Sequence, residues 1–198
     1  MFNSNCSGSS SATLTNCAFS GNTVNWNGGG MYNLSSSPTV ANCTFGGNTA
    51  GDCGGGMYSW YGSPTVTNSI FGANTASWGA EIDNESATTP TFSHCDIKGS
   101  GGSGASWDLA LGTDAGGNIG GDPRFVSPAT PAGPDGLWRT GDDGLRLHSD
   151  SPCIGAADPA VAPKTDILGL PRKTAPDIGA YEFDWTRTSA DPAWVLFR

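Results

Sequence analysis

The first 97 residues of this 198-residue chain contain no lysine and no arginine. Over the whole chain 9 basic residues face 18 acidic ones, for a net charge of −9. Nucleic acid is excluded as a partner, because binding it takes a basic stripe. No apolar run is long enough to cross a bilayer as a helix, and no secretory-leader pattern is legible. No C-x-x-C occurs among the 6 cysteines, which argues against zinc and thioredoxin-like chemistry. G-x-S-x-G is missing, and no Lys-Ser/Thr follows the glycine triplets, so neither a nucleophile elbow nor a phosphate loop is present. Helical periodicity bounded by caps is absent from the first hundred residues.

What is present is repetition. Ser11-Ala12-Thr13-Leu14-Thr15-Asn16-Cys17-Ala18-Phe19 returns 26 residues later as Ser37-Pro38-Thr39-Val40-Ala41-Asn42-Cys43-Thr44-Phe45. It returns again as Ser63-Pro64-Thr65-Val66-Thr67-Asn68-Ser69-Ile70-Phe71, and in worn form as Thr89-Pro90-Thr91-Phe92-Ser93-His94-Cys95-Asp96-Ile97. A fixed period of this size means a stacked array. Within each block Thr39, Ala41 and Cys43 share one parity and Val40, Asn42 and Thr44 the other, which reads as a strand. Gly-Asn clusters at Gly21-Asn22, Gly46-Gly47-Asn48 and Gly72-Ala73-Asn74 mark corners. Short strands, corners and no crossover helix predict an all-β parallel solenoid of 26-residue coils, stacked about 4.8 Å apart.

The period then predicts columns. Phe19, Phe45, Phe71 and Ile97 form a buried ladder; Cys17, Cys43, Ser69 and Cys95 a second; Asn16, Asn42, Asn68 and His94 a third, with amides pairing along the stack. Met31-Tyr32 and Met57-Tyr58, each after three glycines, make a further strand pair. Met1-Phe2-Asn3 mimics Met31-Tyr32-Asn33, which predicts that the chain starts inside a coil, as a piece of a longer reading frame.

Phe19-Ser20-Gly21-Asn22, Phe45-Gly46-Gly47-Asn48 and Phe71-Gly72-Ala73-Asn74 resemble the F-x-x-N element of polymorphic outer-membrane-protein repeats. Gly29-Gly30-Met31 and Gly55-Gly56-Met57 resemble its G-G-A-I element. Over roughly residues 1–100 the resemblance implies a right-handed parallel β-helix of the pectate-lyase-like superfamily, and little about activity.

From about Ser100 the period fails. Asp122-Pro123-Arg124-Phe125, the run from Gly133 to Leu147, Ser151-Pro152-Cys153-Ile154 and Asp177-Ile178-Gly179-Ala180-Tyr181-Glu182-Phe183 follow in order. This series, over roughly 118–184, resembles the C-terminal part of choice-of-anchor Q β-helix proteins of secreting bacteria, and implies a secreted or surface protein. No sorting segment is recognisable in Asp184 to Arg198. Residues 1–100 are expected to form the coils, and 101–198 the last coils plus an irregular C-terminal cap that closes the end of the same domain, because bare solenoid ends expose strand edges.

Three chemistries have candidate residues. Trp26, Asp52 and Trp78 fall at one position of three successive coils, two indoles about 10 Å apart with a carboxylate between; with Trp60, Tyr61 and Trp107 they could hold a polysaccharide, although aromatics more often pack in cores. Glu81, Asp83 and Glu85 alternate onto one face with Asp52 a coil away, and Asp96 is the other coil carboxylate; a carboxylate pair is what glycoside hydrolysis requires. Asp52, Glu81 and Asp83 are the catalytic candidates, and pectin hydrolases of the resembled superfamily use clustered aspartates. A lyase is disfavoured because the coils lack an Arg or Lys base. Asp135, Asp142 and Asp143 lie in a Gly-rich loop whose hard oxygens suit a structural Ca²⁺, or form plain turns; no cofactor is otherwise required. The two histidines, His94 and His148, suggest no triad. The expected protein is an extracellular or surface-attached monomer binding a polysaccharide or cell-surface glycan, with a glycoside hydrolase or a non-catalytic adhesin as alternatives.

Overall fold

A computed structural model describes residues 1–4, 11–85 and 88–184. Cys6, and the C-terminal stretch beyond Asp184, lie outside the described residues. The first coil carries β1 (Phe2–Ser4), β2 (Thr13–Thr15), β3 (Ala18–Ser20) and β4 (Thr23–Val24). The second has β5 (Met31–Leu34), β6 (Thr39–Ala41), β7 (Thr44–Gly46) and β8 (Thr49–Ala50). The third has β9 (Met57–Trp60), β10 (Thr65–Thr67) and β11 (Ile70–Gly72); then come β12 (Ile82–Glu85), β13 (Thr91–Ser93), β14 (Asp96–Ile97), a 3-10 turn at Leu109–Leu111, and β15 (Thr113–Asp114). Like strands of successive coils pair in parallel: β1-β5-β9-β12 in the first sheet, β2-β6-β10-β13-β15 in the second, β3-β7-β11-β14 in the third, and β4-β8 as a short pair. Thr13, Thr39, Thr65 and Thr91 are register partners, as the period requires. The parallel β-solenoid expected from the repeat is therefore what the chain forms.

The repeated block is not one strand, however. Asn16, Asn42, Asn68 and His94 have φ of 51°, 47°, 49° and 49°, so each block turns a corner at that residue. Asn tolerates this left-handed backbone better than most residues, which explains its recurrence. On either side of the corner the apolar residues point inward. Val40, Val66 and Phe92 are buried before it; Cys43, Phe45, Phe71, Cys95 and Ile97 after it. The phenylalanine rings stack flat at 4.6 Å for Phe19–Phe45 and 4.5 Å for Phe45–Phe71.

The amide ladder lies in a different column from the one expected. Asn22 Nδ2 donates to Asn48 Oδ1 (2.8 Å), and Asn48 Nδ2 to Asn74 Oδ1 (2.9 Å). Both Asn48 and Asn74 also donate to a carbonyl of the preceding coil, Phe19 O and Phe45 O. The F-x-x-N asparagine thus faces the interior. The corner amides make one mutual bond, Asn68 to Asn42 at 3.3 Å, and otherwise reach outward.

They reach to the C-terminal segment. Among the described residues, 121–184 form no regular strand and lie along the outer side of the third sheet. Gly179 N donates to Asn68 O (2.8 Å) and Ala180 N to Thr44 Oγ1 (2.9 Å), while Arg172 and Asn16 bond at 3.1 Å. Ile70 is buried against Leu147, Cys153 and Ile178. A side chain at Gly72 would meet Pro123 at 2.6 Å, and one at Gly46 would meet Leu145 at 2.8 Å. The outward column Ala18, Thr44 and Ile70, flanked by these glycines, is a small and partly apolar surface that water would solvate poorly; covering it is what the segment does. Within the segment Arg172 and Glu182 form a buried ion pair at 3.2 Å, and Glu182 also accepts from Lys173 N and Asp177 N. The end of the coils is met by Trp107 and Leu111, within the 101–198 region, which join the core beside Phe92.

Candidate functional site

The outer surface between the first sheet and the preceding loops collects the exposed aromatics. After β4 and β8 each coil enters a loop whose backbone keeps the stack: Asp52 N donates to Trp26 O (3.1 Å) and Trp78 N to Asp52 O (3.0 Å). The expected Trp26–Asp52–Trp78 column therefore holds from Trp26 to Asp52 and slips by one residue at the next coil, where Trp78 is the register partner of Cys53. Its indoles are not core: Trp26 is 76% and Trp78 70% exposed. Next in each loop comes Gly28, Gly54 or Gly79, at φ 72°, 64° and 53°. A Cβ there would come within 2.7, 2.8 and 2.6 Å of the Cβ of Tyr32, Tyr58 and Asp83. This bend presses the loop column against the outward column of the first sheet, and no other residue type fits it.

On that sheet Tyr32, Tyr58 and Asp83 are register partners, and so are Leu34, Trp60 and Glu85. The tyrosine rings stack at 5.1 Å, and the Tyr58 hydroxyl donates to Glu85 Oε2. Trp60 stacks on Tyr61 at 5.6 Å. Tyr61 is held at φ 55°, a left-handed corner that costs an aromatic residue about 1 kcal/mol or more. Ser35 occupies the same corner one coil earlier, at φ 51°. A ring 59% exposed at such a corner adds nothing to the core.

Electrostatics knit the acids together. Burial raises the Asp83 carboxyl, and the Glu85 and Asp52 charges raise it further, against a lowering hydrogen bond from Cys53. The Cys53 thiol is pushed up to about 11, first by burial and then by Asp83 and Asp52. It is therefore protonated near neutral pH and no nucleophile. Asp52, Asp83 and Glu85 are brought together; Glu81 is not.

From β9 to β12 the repeat shortens by one residue, so Met57 pairs with Ile82 where Met31 pairs with Met57. Glu81 then takes the place of Gly56 and Gly30, whose side chains would point inward at Phe71 and Phe45. It accepts from Asn74 Nδ2 at 2.6 Å and so ends the amide ladder. Sequence alternation placed it on the outer face with Asp83 and Glu85; it lies before β12, at the bend that Gly56 and Gly30 occupy, where strand alternation does not hold and the side chain points inward. Burial pushes its carboxyl up to about 7, and burial does the same to Asp96, whose Oδ2 accepts from the Cys153 thiol at 3.1 Å.

Raised carboxyl pKa values mean that the native state binds more protons than the unfolded chain between about pH 4 and 7. Stability is then greatest near pH 4–5, declines as pH rises through 7, and levels off above. Thermal melts at pH 5 and 8 should show this order. Glu81→Gln should flatten the difference and stabilise the protein at pH 8 by on the order of 2 kcal/mol. A variant equally destabilised at both pH values would contradict the assignment.

The remaining candidates lie elsewhere. Trp107 is 7% exposed and its Nε1 donates to Gly112 O (2.9 Å), so it belongs to the core at the solenoid's end and not to the aromatic platform. Asp143 accepts from Tyr181 Oη (2.9 Å) and from the amides of Arg139 and Thr140. Asp135 caps Leu137 N, and Asp142 accepts from Thr140 Oγ1 and Asp135 N. Thr140 Oγ1 lies within 2.6 Å of Asp142 Oδ1 and 3.5 Å of Asp143 Oδ1; among the described residues no group of three His, Cys, Asp or Glu is placed to hold a metal ion. His94 sits at its corner against Gly117, and His148 pairs with Asp150 at 2.6 Å. The described cysteines, Cys17, Cys43, Cys53, Cys95 and Cys153, are free thiols. The Tyr58–Glu85 pair, the Cys53 contacts and the Tyr61 corner were not read from sequence; the signal available was the Tyr32–Tyr58 repeat, once the one-residue shortening is known.

Among known proteins, a family model described as the right handed beta helix region matches residues 3–114. No curated protein and no solved structure matches the chain.

Proposed function

Starting from a chain that belongs to the right-handed β-helix family, we infer that its aromatic face binds a polysaccharide lying along the solenoid axis. The observation that carries this reading is the pair of exposed indoles, Trp26 and Trp78, presented by loops two coils apart, with Trp78 one register step off the position of Trp26 and Asp52. Large aromatics are costly to leave in water, and flat rings beside carboxylate acceptors suit the faces and hydroxyls of sugars. Trp60 and Tyr61 extend the platform sideways. The resemblance to choice-of-anchor Q proteins supports a secreted or surface location.

Hydrolysis is the second reading. Asp83 and Glu85 project from one face beside Asp52, and burial raises the Asp83 carboxyl, the direction a general acid requires. Glu81, turned into the interior, takes no part in it.

Affinity electrophoresis through gels cast with single glycans tests the binding reading. The double variant Trp26→Ala, Trp78→Ala should lose at least about tenfold in affinity with an unchanged melting temperature. Wild-type affinity in that variant removes the column from the argument, and no retardation by any glycan removes the reading. Release of reducing ends that vanishes in Asp83→Asn would move the protein to the hydrolases.

A further inference from the structure

The second sheet presents an outer face that the aromatic platform does not use. In β6, β10 and β13 the middle residue is buried and its two neighbours look outward, and β2 repeats the alternation in the first coil. One outward column is Thr13, Thr39, Thr65, Thr91 and Thr113, in register across the sheet. Two residues further along the strands lies a second, Thr15, Ala41, Thr67 and Ser93. Neither column holds a charge or a ring.

β-Branched residues favour strands, but that preference leaves two features of the threonine column unexplained. The column outlasts the period: Thr113 follows Thr91 at less than the full repeat, yet a threonine still lands on the register position. Meanwhile the inward neighbour changes from Leu14 to Val40, Val66 and Phe92. The outward position is thus kept and the inward one drifts, the reverse of what packing alone would select. The hydroxyls of this column are also unspent. The adjoining serines use theirs on the stack, Ser37 N donating to Ser11 Oγ (3.3 Å), Ser63 N to Ser37 Oγ (2.9 Å) and Thr89 N to Ser63 Oγ (3.1 Å). Among the described residues, no protein atom bonds to the hydroxyl of Thr13, Thr39, Thr65, Thr91 or Thr113.

A threonine side chain is stiff about its first torsion, and evenly spaced ladder bonds fix the backbone beneath it. The face is therefore a rigid grid of hydroxyls and methyls, about 4.8 Å apart along the axis and about 6.6 Å across it. Each hydroxyl both donates and accepts, and the methyls order the water layer around them. A matching ligand has to repeat in two directions, carry no charge, and offer donors and acceptors at every point. A single glycan chain repeats in one direction only. Oxygen rows on a prism face of ice repeat in two, at close to these intervals.

We propose that the threonine face of the second sheet binds ice, adsorbing to a prism face through its two outward columns. This activity is separate from glycan binding on the aromatic face. Ala41 is the gap in the grid, keeping a methyl where its column otherwise carries a hydroxyl.

Two measurements on the full chain test this: inhibition of recrystallisation in a frozen film, and incorporation into ice grown slowly from dilute solution. An inert globular protein of similar size serves as blank. Wild type should keep the grains small and enter the ice, from which the blank is excluded. The double variant Thr39→Lys, Thr65→Lys should lose both effects with an unchanged melting temperature, because both side chains are exposed. Ala41→Thr should inhibit recrystallisation more strongly than wild type, and Trp26→Ala should change nothing. Wild type excluded from ice like the blank overturns the proposal, and so does full activity in the double variant. Adsorption to crystalline cellulose that vanishes in the double variant, with no effect on ice, assigns the face to a polysaccharide and overturns it too. Gel retardation by soluble glycans should be the same in wild type and the double variant, so the two readings fail separately.

Discussion

Gly55→Ala is expected to destabilise the protein by at least about 3 kcal/mol, and to leave it largely unfolded at modest urea concentrations. An added Cβ would lie 2.5 Å from Ala80 O and 2.6 Å from Thr75 O. Both are backbone atoms of the next coil, so no rotamer change relieves the clash. Relief requires the coils to part, and parting them breaks the bonds Gly54 N to Trp78 O (3.1 Å) and Gly56 N to Glu81 O (3.1 Å). Gly21→Ala is the informative control. Its φ of 65° disfavours alanine by about 1 kcal/mol, but an added Cβ meets nothing within 4 Å. Urea midpoints followed by far-ultraviolet circular dichroism separate the two effects. If Gly55→Ala proves as mild as Gly21→Ala, the close approach of coils at the glycine triplet is wrong.

Phe45→Ala should cost about 4 kcal/mol, a large share of the stability of a domain this size. The ring is fully buried, with Phe19 on one side and Phe71 on the other at interplanar angles of 5° and 3°. Its removal opens a cavity inside a rigid stack whose spacing is fixed by backbone ladders, so neighbouring coils cannot collapse into it. Phe45→Leu should restore about half of the loss. Calorimetric melts of the two variants beside Trp26→Ala make the contrast plain: the exposed indole should shift the melting temperature little. A Phe45→Ala melt close to wild type would contradict the ladder.

The repeat made the fold legible because an in-register parallel stack turns sequence distance into spatial adjacency. Residues 26 apart become neighbours, so the Phe column and the Cys column follow by counting, while the count fails at Trp78, which pairs with Cys53 after the one-residue loss. Direction within a coil is another matter. Whether Asn42 or Asn48 carries the ladder depends on where the backbone turns, and the left-handed corner at Asn42 breaks the alternation on which parity arguments rest. The same limit applies to Glu81. It lies one residue before β12, at the bend where strand alternation does not hold, and the residue missing between β9 and β12, of which the preceding coils give no warning, aligns it with Gly56. Residues 121–184 have no period at all. Their docking on the third sheet was signalled only by Gly46 and Gly72, where a flank open to water would ordinarily carry polar side chains. Trp107 followed the general rule that a large ring seeks a core.

The interior amide ladder has a direction. Asn22 and Asn48 each hand an amide N–H on to the next coil, Asn48 and Asn74 each return the other to a carbonyl of the coil before, and the series stops where Glu81 accepts from Asn74 and donates nothing onward when ionised. A duplicated coil inserted before Asn74 would bring one new acceptor for each donor it displaced, and the chain of bonds would close as before. A coil added beyond Glu81 would find a carboxylate where it needed an amide. Such a protein can lengthen or shorten by whole turns through recombination on one side of the terminator and not on the other. The surface built from Asp52, Trp78 and Asp83 lies beside that terminator, so it would persist while the number of turns behind it changed.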